Sequence, residues 1–139
     1  MAKIACPYCY NVQIFDDEQK SCKECGQVVS SQFIKSVTKT PPIYLATAGF
    51  TQHGKTTYLD SMMTMIENLG KISDRTYYEY MDDYTFSKVQ EMRYQVQQRD
   101  EADSTPVSQD VQPLLIGIHN FLDLPVHPVV LYDLGGEVF

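Results

Sequence analysis

Gly49-Phe50-Thr51-Gln52-His53-Gly54-Lys55-Thr56-Thr57 sets Gly49, Gly54, Lys55 and Thr56 at the fixed positions of the phosphate-binding loop pattern G-x-x-x-x-G-K-[ST]. In such a loop the backbone N–H groups point inward and cradle phosphate oxygens. The helix that follows turns its positive end toward them. The flanks agree with this reading. Ile43-Tyr44-Leu45-Ala46-Thr47-Ala48 reads as a buried strand. Thr57 to Leu69 reads as a helix, with Leu59, Met62, Met63, Ile66 and Leu69 on one stripe and Gly70 as its stop. The bland alternative is a glycine-rich turn with an incidental lysine, and the strand–loop–helix setting argues against it.

Downstream, Leu114-Leu115-Ile116-Gly117-Ile118-His119 and Val129-Val130-Leu131-Tyr132 read as paired strands around a turn at Leu122-Asp123-Leu124-Pro125. The second strand delivers Asp133 at its carboxyl end, followed by Leu134-Gly135-Gly136-Glu137. This is the Walker B arrangement, in which the Asp can hold a magnesium-bound water near the phosphates. Magnesium takes few protein ligands and keeps several waters, so Asp133 and the Thr56 hydroxyl suffice. Between the motifs, Tyr77 to Glu101 reads as one or two helices with five of the ten tyrosines: Tyr77, Tyr78, Tyr80, Tyr84 and Tyr94. A tyrosine cluster suits a contact surface. Half-buried packing with wet hydroxyls is the plainer reading.

All four cysteines lie near the N-terminus, as Cys6-Pro7-Tyr8-Cys9 and Cys22-Lys23-Glu24-Cys25, with twelve residues between the pairs. Each C-x2-C makes a tight knuckle, and four thiolates around one ion suit structural Zn²⁺. Gly26 helps the second knuckle turn. Val12, Ile14 and Phe15 fit one arm of a small hairpin between the knuckles. Disulfides need an oxidising compartment, and a redox pair expects a thioredoxin-like context. With every position filled by sulfur the site is closed and not catalytic. Gln27 to Thr40 reads as a last ribbon strand (Val28, Val29) and a connector, and Pro41-Pro42 enforces extended backbone before the first core strand.

The 139 residues allow one modest domain plus a small one, and 43% apolar residues suffice for a packed core. A net charge of -7 argues against nucleic acid and anionic membrane as partners. Acids dominate from Glu67 to Asp103, nine against five bases. No apolar run approaches membrane-spanning length and the first residues do not read as a leader, so the expected location is the cytoplasm.

The two motifs resemble P-loop GTPases of the Ras-like and translation-factor class. His53-Gly54-Lys55-Thr56-Thr57 is similar to the H-G-K-T-T loop of translational GTPases, and Tyr132-Asp133-Leu134-Gly135-Gly136-Glu137 to the W-D-V-G-G-Q switch II of Arf and Gα proteins. A zinc ribbon ahead of such a domain is also similar to bacterial double-GTPase-like proteins. The resemblance spans Ile43 to Phe139 in outline. It implies that Gly49, Gln52, His53, Gly54, Lys55, Thr56 and Thr57 bind nucleotide, with Lys55 on the β- and γ-phosphates. Thr56 and Asp133 would hold Mg²⁺, and the Gly136 N–H would meet the γ-phosphate. Glu137 stands where the family often has a water-orienting Gln, which makes a carboxylate the candidate base. Thr105 is the candidate switch I threonine, with Ser104 and Ser108 as rivals. A transition-state arginine would come from Arg75, Arg93, Arg99, further sequence or a partner.

The guanine-reading [NT]-K-x-D motif does not occur in the chain. The expectation is therefore an N-terminal piece of a longer protein that binds nucleotide poorly by itself. The expected fold is α/β, a partial P-loop NTPase over 41–139 with three core strands, the P-loop helix and a helical insertion. A small β zinc ribbon and connector precede it over 1–40. The expected function is Mg²⁺-dependent GTP hydrolysis or switching, with a protein partner on the ribbon or the tyrosine-rich helix. Two alternatives stay open, an ATPase and an interaction adaptor with a vestigial nucleotide site. Many ATPases place Glu directly after the Walker B Asp, where Leu134 stands here.

Overall fold

The computed structural model describes residues 1–47, 54–98 and 112–134. Within them the chain is mixed α/β, with a two-stranded sheet and a four-stranded sheet. β1 (Ala2–Ala5) pairs antiparallel with β2 (Val12–Phe15). There follow α1 (Ser31–Val37), β3 (Ile43–Thr47), α2 (Lys55–Glu67), α3 (Leu69–Ile72), β4 (Tyr77–Tyr80), α4 (Asp83–Gln97), β5 (Leu114–Phe121) and β6 (Leu124–Asp133). The large sheet has the order β3-β6-β5-β4, with β3 parallel to β6 and the other pairs antiparallel.

β5 and β6 form the expected hairpin, and they are mostly apolar because both faces of the sheet are covered. Strand residues alternate between faces. Val126, Val130 and Tyr132 of β6 join Ile4, Phe15, Val29, Phe33 and Ile34 on the side of α1 and the N-terminal hairpin. Val129 and Leu131 join Leu59, Met63, Val89 and Met92 on the side of α2 and α4. The sheet is thus the middle of three layers. The cysteine-bearing hairpin shares a core with one face of it.

The structure corrects several expectations. Tyr77–Tyr80 is not helical but the fourth strand, paired with β5 from Tyr77↔His119 to Tyr80↔Ile116. Aromatic side chains favour such a pleated, half-buried surface. The helix starts only at α4, where the Asp82 side chain accepts from the Thr85 N–H at 2.8 Å. The Gln27–Thr40 connector contains α1. Ser30 is its N-cap, accepting from the Phe33 N–H at 3.5 Å while its hydroxyl donates to the Met81 carbonyl. Val28 contributes only an isolated bridge to Ser21 rather than a strand.

β3 was expected to be buried, yet Ile43, Tyr44 and Leu45 are 43%, 38% and 44% exposed. Among the described residues β3 pairs on one side alone, with β6. The stripe on α2 is borne out at Leu59 and Met63, both fully buried. However, α2 breaks at Asn68, whose side chain donates back to the Thr64 carbonyl at 2.8 Å, and Gly70 lies inside α3. The β5–β6 turn is tighter than expected. Leu122 and Asp123 take φ of 50° and 61°, as a two-residue hairpin turn requires, and Leu124 already pairs with Phe121.

Candidate functional site

The structure brings two groups of side chains together. In the first, the Sγ atoms of Cys6, Cys9, Cys22 and Cys25 all lie within 4.8 Å of one another. Across the knuckles, Cys9 and Cys22 stand 3.6 Å apart and Cys6 and Cys25 3.9 Å. Ligands at ~2.3 Å around a tetrahedral ion stand roughly 3.8 Å apart, so the spacing fits a metal and not a disulfide.

The two knuckles share one backbone design. The Tyr10 N–H donates to the Cys6 carbonyl at 2.9 Å and the Gly26 N–H to the Cys22 carbonyl at 2.8 Å. Cys6 and Cys22 donate in turn to the Asn11 and Gln27 carbonyls. The pivot needs the left-handed region, φ 73° at Gly26 and φ 65° at Tyr10. Glycine takes it freely, whereas tyrosine does so at a cost of about 1 kcal/mol.

Burial pushes the Cys6 thiol up to about 12, offset only in part by the N–H groups of Tyr8 and Cys9. Burial also acts on Cys22, but the N–H groups of Cys25 and Glu24 and the neighbouring thiols bring it down to about 7. Burial raises Cys25. The convergence of the four sulfurs lets the quartet hold a metal ion such as zinc.

The second group lies at the carboxyl end of the parallel β3–β6 pair, the place where open α/β sheets bind ligands. Thr47 and Asp133 are register partners. The Thr47 hydroxyl lies 3.3 Å from both the Tyr132 carbonyl and an Asp133 carboxylate oxygen, and the Leu134 N–H donates to the Thr47 carbonyl at 3.1 Å. α2 begins beside them. Gly54 caps it in the left-handed conformation, φ 73°, with nothing within 4 Å of a hypothetical Cβ, so backbone angle and not crowding demands the glycine. Lys55 is the first helical residue, and its Nζ donates to the Leu134 carbonyl at 2.5 Å. Lys55 therefore reaches across to the residue that follows Asp133.

Thr56 and Thr57 follow in the first turn of α2. Gly49, Gln52, His53, Thr105, Gly136 and Glu137 lie outside the described residues, as do Ser104, Ser108 and Arg99. Arg93 is already engaged, 2.8 Å from a Glu67 oxygen and 3.5 Å from an Asp60 oxygen on α2.

Three contributors were not legible as site residues. Thr47 and Leu134 bind through backbone and hydroxyl groups that leave no motif. Tyr132 precedes Asp133 and faces the opposite side of the sheet. Its hydroxyl donates to the Pro7 carbonyl at 2.6 Å, inside the first knuckle. Strand alternation could have flagged Tyr132 as facing away from Asp133, but nothing in the sequence names its partner.

Compared with protein-family models, with curated proteins and with solved structures, the chain gives no match. Among the described residues no helix is long and apolar enough to cross a membrane.

Proposed function

We propose that the chain belongs to a Mg²⁺-dependent nucleotide phosphohydrolase or switch of the P-loop GTPase class, with GTP as the favoured nucleotide. One observation carries the reading. Lys55, at the start of the loop-following helix, and Asp133, at the end of a parallel strand, meet at the carboxyl end of the β3–β6 pair through the Leu134 carbonyl and Thr47. The sequence motifs at that end supply the chemistry.

In this reading Lys55 leaves the Leu134 carbonyl for the β- and γ-phosphate oxygens and orients them. The first-turn N–H groups of α2 face the same anion. Thr56 and Asp133 would hold the magnesium ion, which supplies charge neutralisation to the phosphates when bound. Thr47 holds the Asp133 carboxylate in place. Glu137 is the proposed base and Thr105 the proposed switch threonine. Cys6, Cys9, Cys22 and Cys25 hold Zn²⁺ as a closed structural site.

Leu134 directly after Asp133, with the carboxylate four positions on at Glu137, favours the GTPase layout over the ATPase one. The test is titration of the full-length protein with fluorescent GTP and ATP analogues with and without Mg²⁺, alongside Lys55→Ala. The reading expects Mg²⁺-dependent binding, tighter for GTP, that Lys55→Ala weakens at least about tenfold, as loss of a charge-assisted contact should. Equal affinity in Lys55→Ala overturns it in favour of an adaptor.

A further inference from the structure

We propose that Tyr132 is a positioning residue that couples the four-cysteine metal site to the nucleotide site. This rests on the reading of Asp133 given above. Tyr132 is almost fully buried at 4% exposure. Its hydroxyl donates to the Pro7 carbonyl at 2.6 Å, and Pro7 sits between the ligands Cys6 and Cys9. Its ring packs against Tyr10, with centroids 5.4 Å apart, and Tyr10 is the residue on which the first knuckle pivots.

On β3 a second tyrosine makes the matching contact. The Tyr44 hydroxyl donates to the Ala5 carbonyl at 2.8 Å. Ala5 and Pro7 flank Cys6, so one hydroxyl from each strand of the parallel pair clamps that ligand's backbone. The next residue along β6 is Asp133. The knuckle, Tyr132 and Asp133 therefore form one continuous chain of contacts, in which metal on one side and magnesium–nucleotide on the other each favour the same placement of the end of β6.

A metal ion fixes the Cys6–Cys9 knuckle and with it the Pro7 carbonyl. When the thiols are free to spread, that carbonyl shifts, and the buried Tyr132 hydroxyl must follow it or go unpaired. Going unpaired strands a buried hydroxyl at a cost in free energy, so the hydroxyl follows the carbonyl and the backbone that carries Asp133 moves with it. Coupling between sites is reciprocal, so each ligand raises the affinity for the other by the same factor.

The experiment measures Zn²⁺ affinity of the full chain by chelator competition, with and without a saturating non-hydrolysable GTP analogue and Mg²⁺. Analogue affinity is measured in the zinc-loaded and zinc-stripped forms. In the wild type we expect each ligand to tighten the other about tenfold, within the usual range of such couplings. In Tyr132→Phe both ligands still bind, and the ratio falls to within about twofold of unity, because the hydroxyl bridge is gone and the fold is kept.

Should the zinc-stripped form unfold, Co²⁺ in place of Zn²⁺ keeps the test open. Addition of the Mg²⁺–analogue should change the thiolate-to-cobalt absorption in the wild type and leave it unchanged in Tyr132→Phe. A ratio of unity in the wild type, or an unchanged ratio in Tyr132→Phe, overturns the coupling. Failure of the zinc-loaded wild type to bind the analogue at all overturns the nucleotide reading, and the coupling with it.

Discussion

Replacing Arg93 by Leu removes the cation that ties α4 to α2. Arg93 lies 2.8 Å from one oxygen of Glu67 and 3.5 Å from an oxygen of Asp60, while the Tyr80 hydroxyl from β4 donates to the other Glu67 oxygen. Burial, reinforced by Glu67, raises the Tyr80 phenol, so it stays protonated as that donor. The Asp60 oxygen has no hydrogen-bond partner among the described residues and no exposed surface, which leaves it dependent on the charge of Arg93. Removing one partner of a fully buried ion pair costs ~3–5 kcal/mol. The side chains here keep 25%, 14% and 18% exposure, so water compensates the stranded carboxylates in part. We therefore expect about 2 kcal/mol for Arg93→Leu, between the buried figure and the ~1 kcal/mol of an exposed pair.

In urea, with a slope of ~1–3 kcal/mol per molar for a small protein, the midpoint should fall by about 1 M. A cycle with Glu67→Gln should return a coupling of about 1 kcal/mol, because the two residues touch. Lys55 lies twelve residues before Glu67 on the same helix, so nucleotide affinity in Arg93→Leu should stay within about twofold. A midpoint shift below about 0.3 M would show the cluster to be a loose surface feature that ties nothing together.

Three further outcomes are expected. Thr85→Val strands the buried Leu115 N–H, which donates to the Thr85 hydroxyl at 2.8 Å, and should cost about 1–3 kcal/mol by chemical denaturation while Thr85→Ser costs less. Leu59→Ala empties a fully buried site between α2 and the sheet, and should destabilise by about 2–5 kcal/mol in the same assay. Elemental analysis should find one zinc per chain, and Cys22→Ser should abolish it. Chelation should also lower the thermal midpoint of the whole chain, because Cys6 and Cys22 share a core with Val130 and Tyr132.

The parts of the molecule that were legible in sequence are those whose signals are local. The hairpin of β5 and β6, the stripe on α2 and the convergence of the four cysteines each follow from spacing alone. The break of α2 at Asn68 and the tighter β5–β6 turn are local details, but the larger misreadings depend on a neighbour distant in sequence. Tyr77–Tyr80 becomes a strand because β5 offers it a partner some forty residues on, which no local period reveals. α1 forms where Ser30 supplies a cap and Phe33 and Ile34 have a core to enter, and that core belongs to the sheet. β3 carries a buried strand's composition but, among the described residues, receives a single paired edge. Within the candidate site, Lys55 and Asp133 announced themselves through motifs, whereas Thr47, Leu134 and Tyr132 act through carbonyls, hydroxyls and register.

We propose that a nucleotide's phosphates bind between the start of α2 and the end of β6. Amide chemical-shift mapping of the isotopically labelled full-length protein as Mg²⁺–GTP is added tests this binding place. The largest shifts should fall at Gly54 to Thr57 together with Thr47, Asp133 and Leu134, and they should be lost in Lys55→Ala. Shifts confined to other surfaces, or the same shifts in Lys55→Ala, would place the phosphates elsewhere.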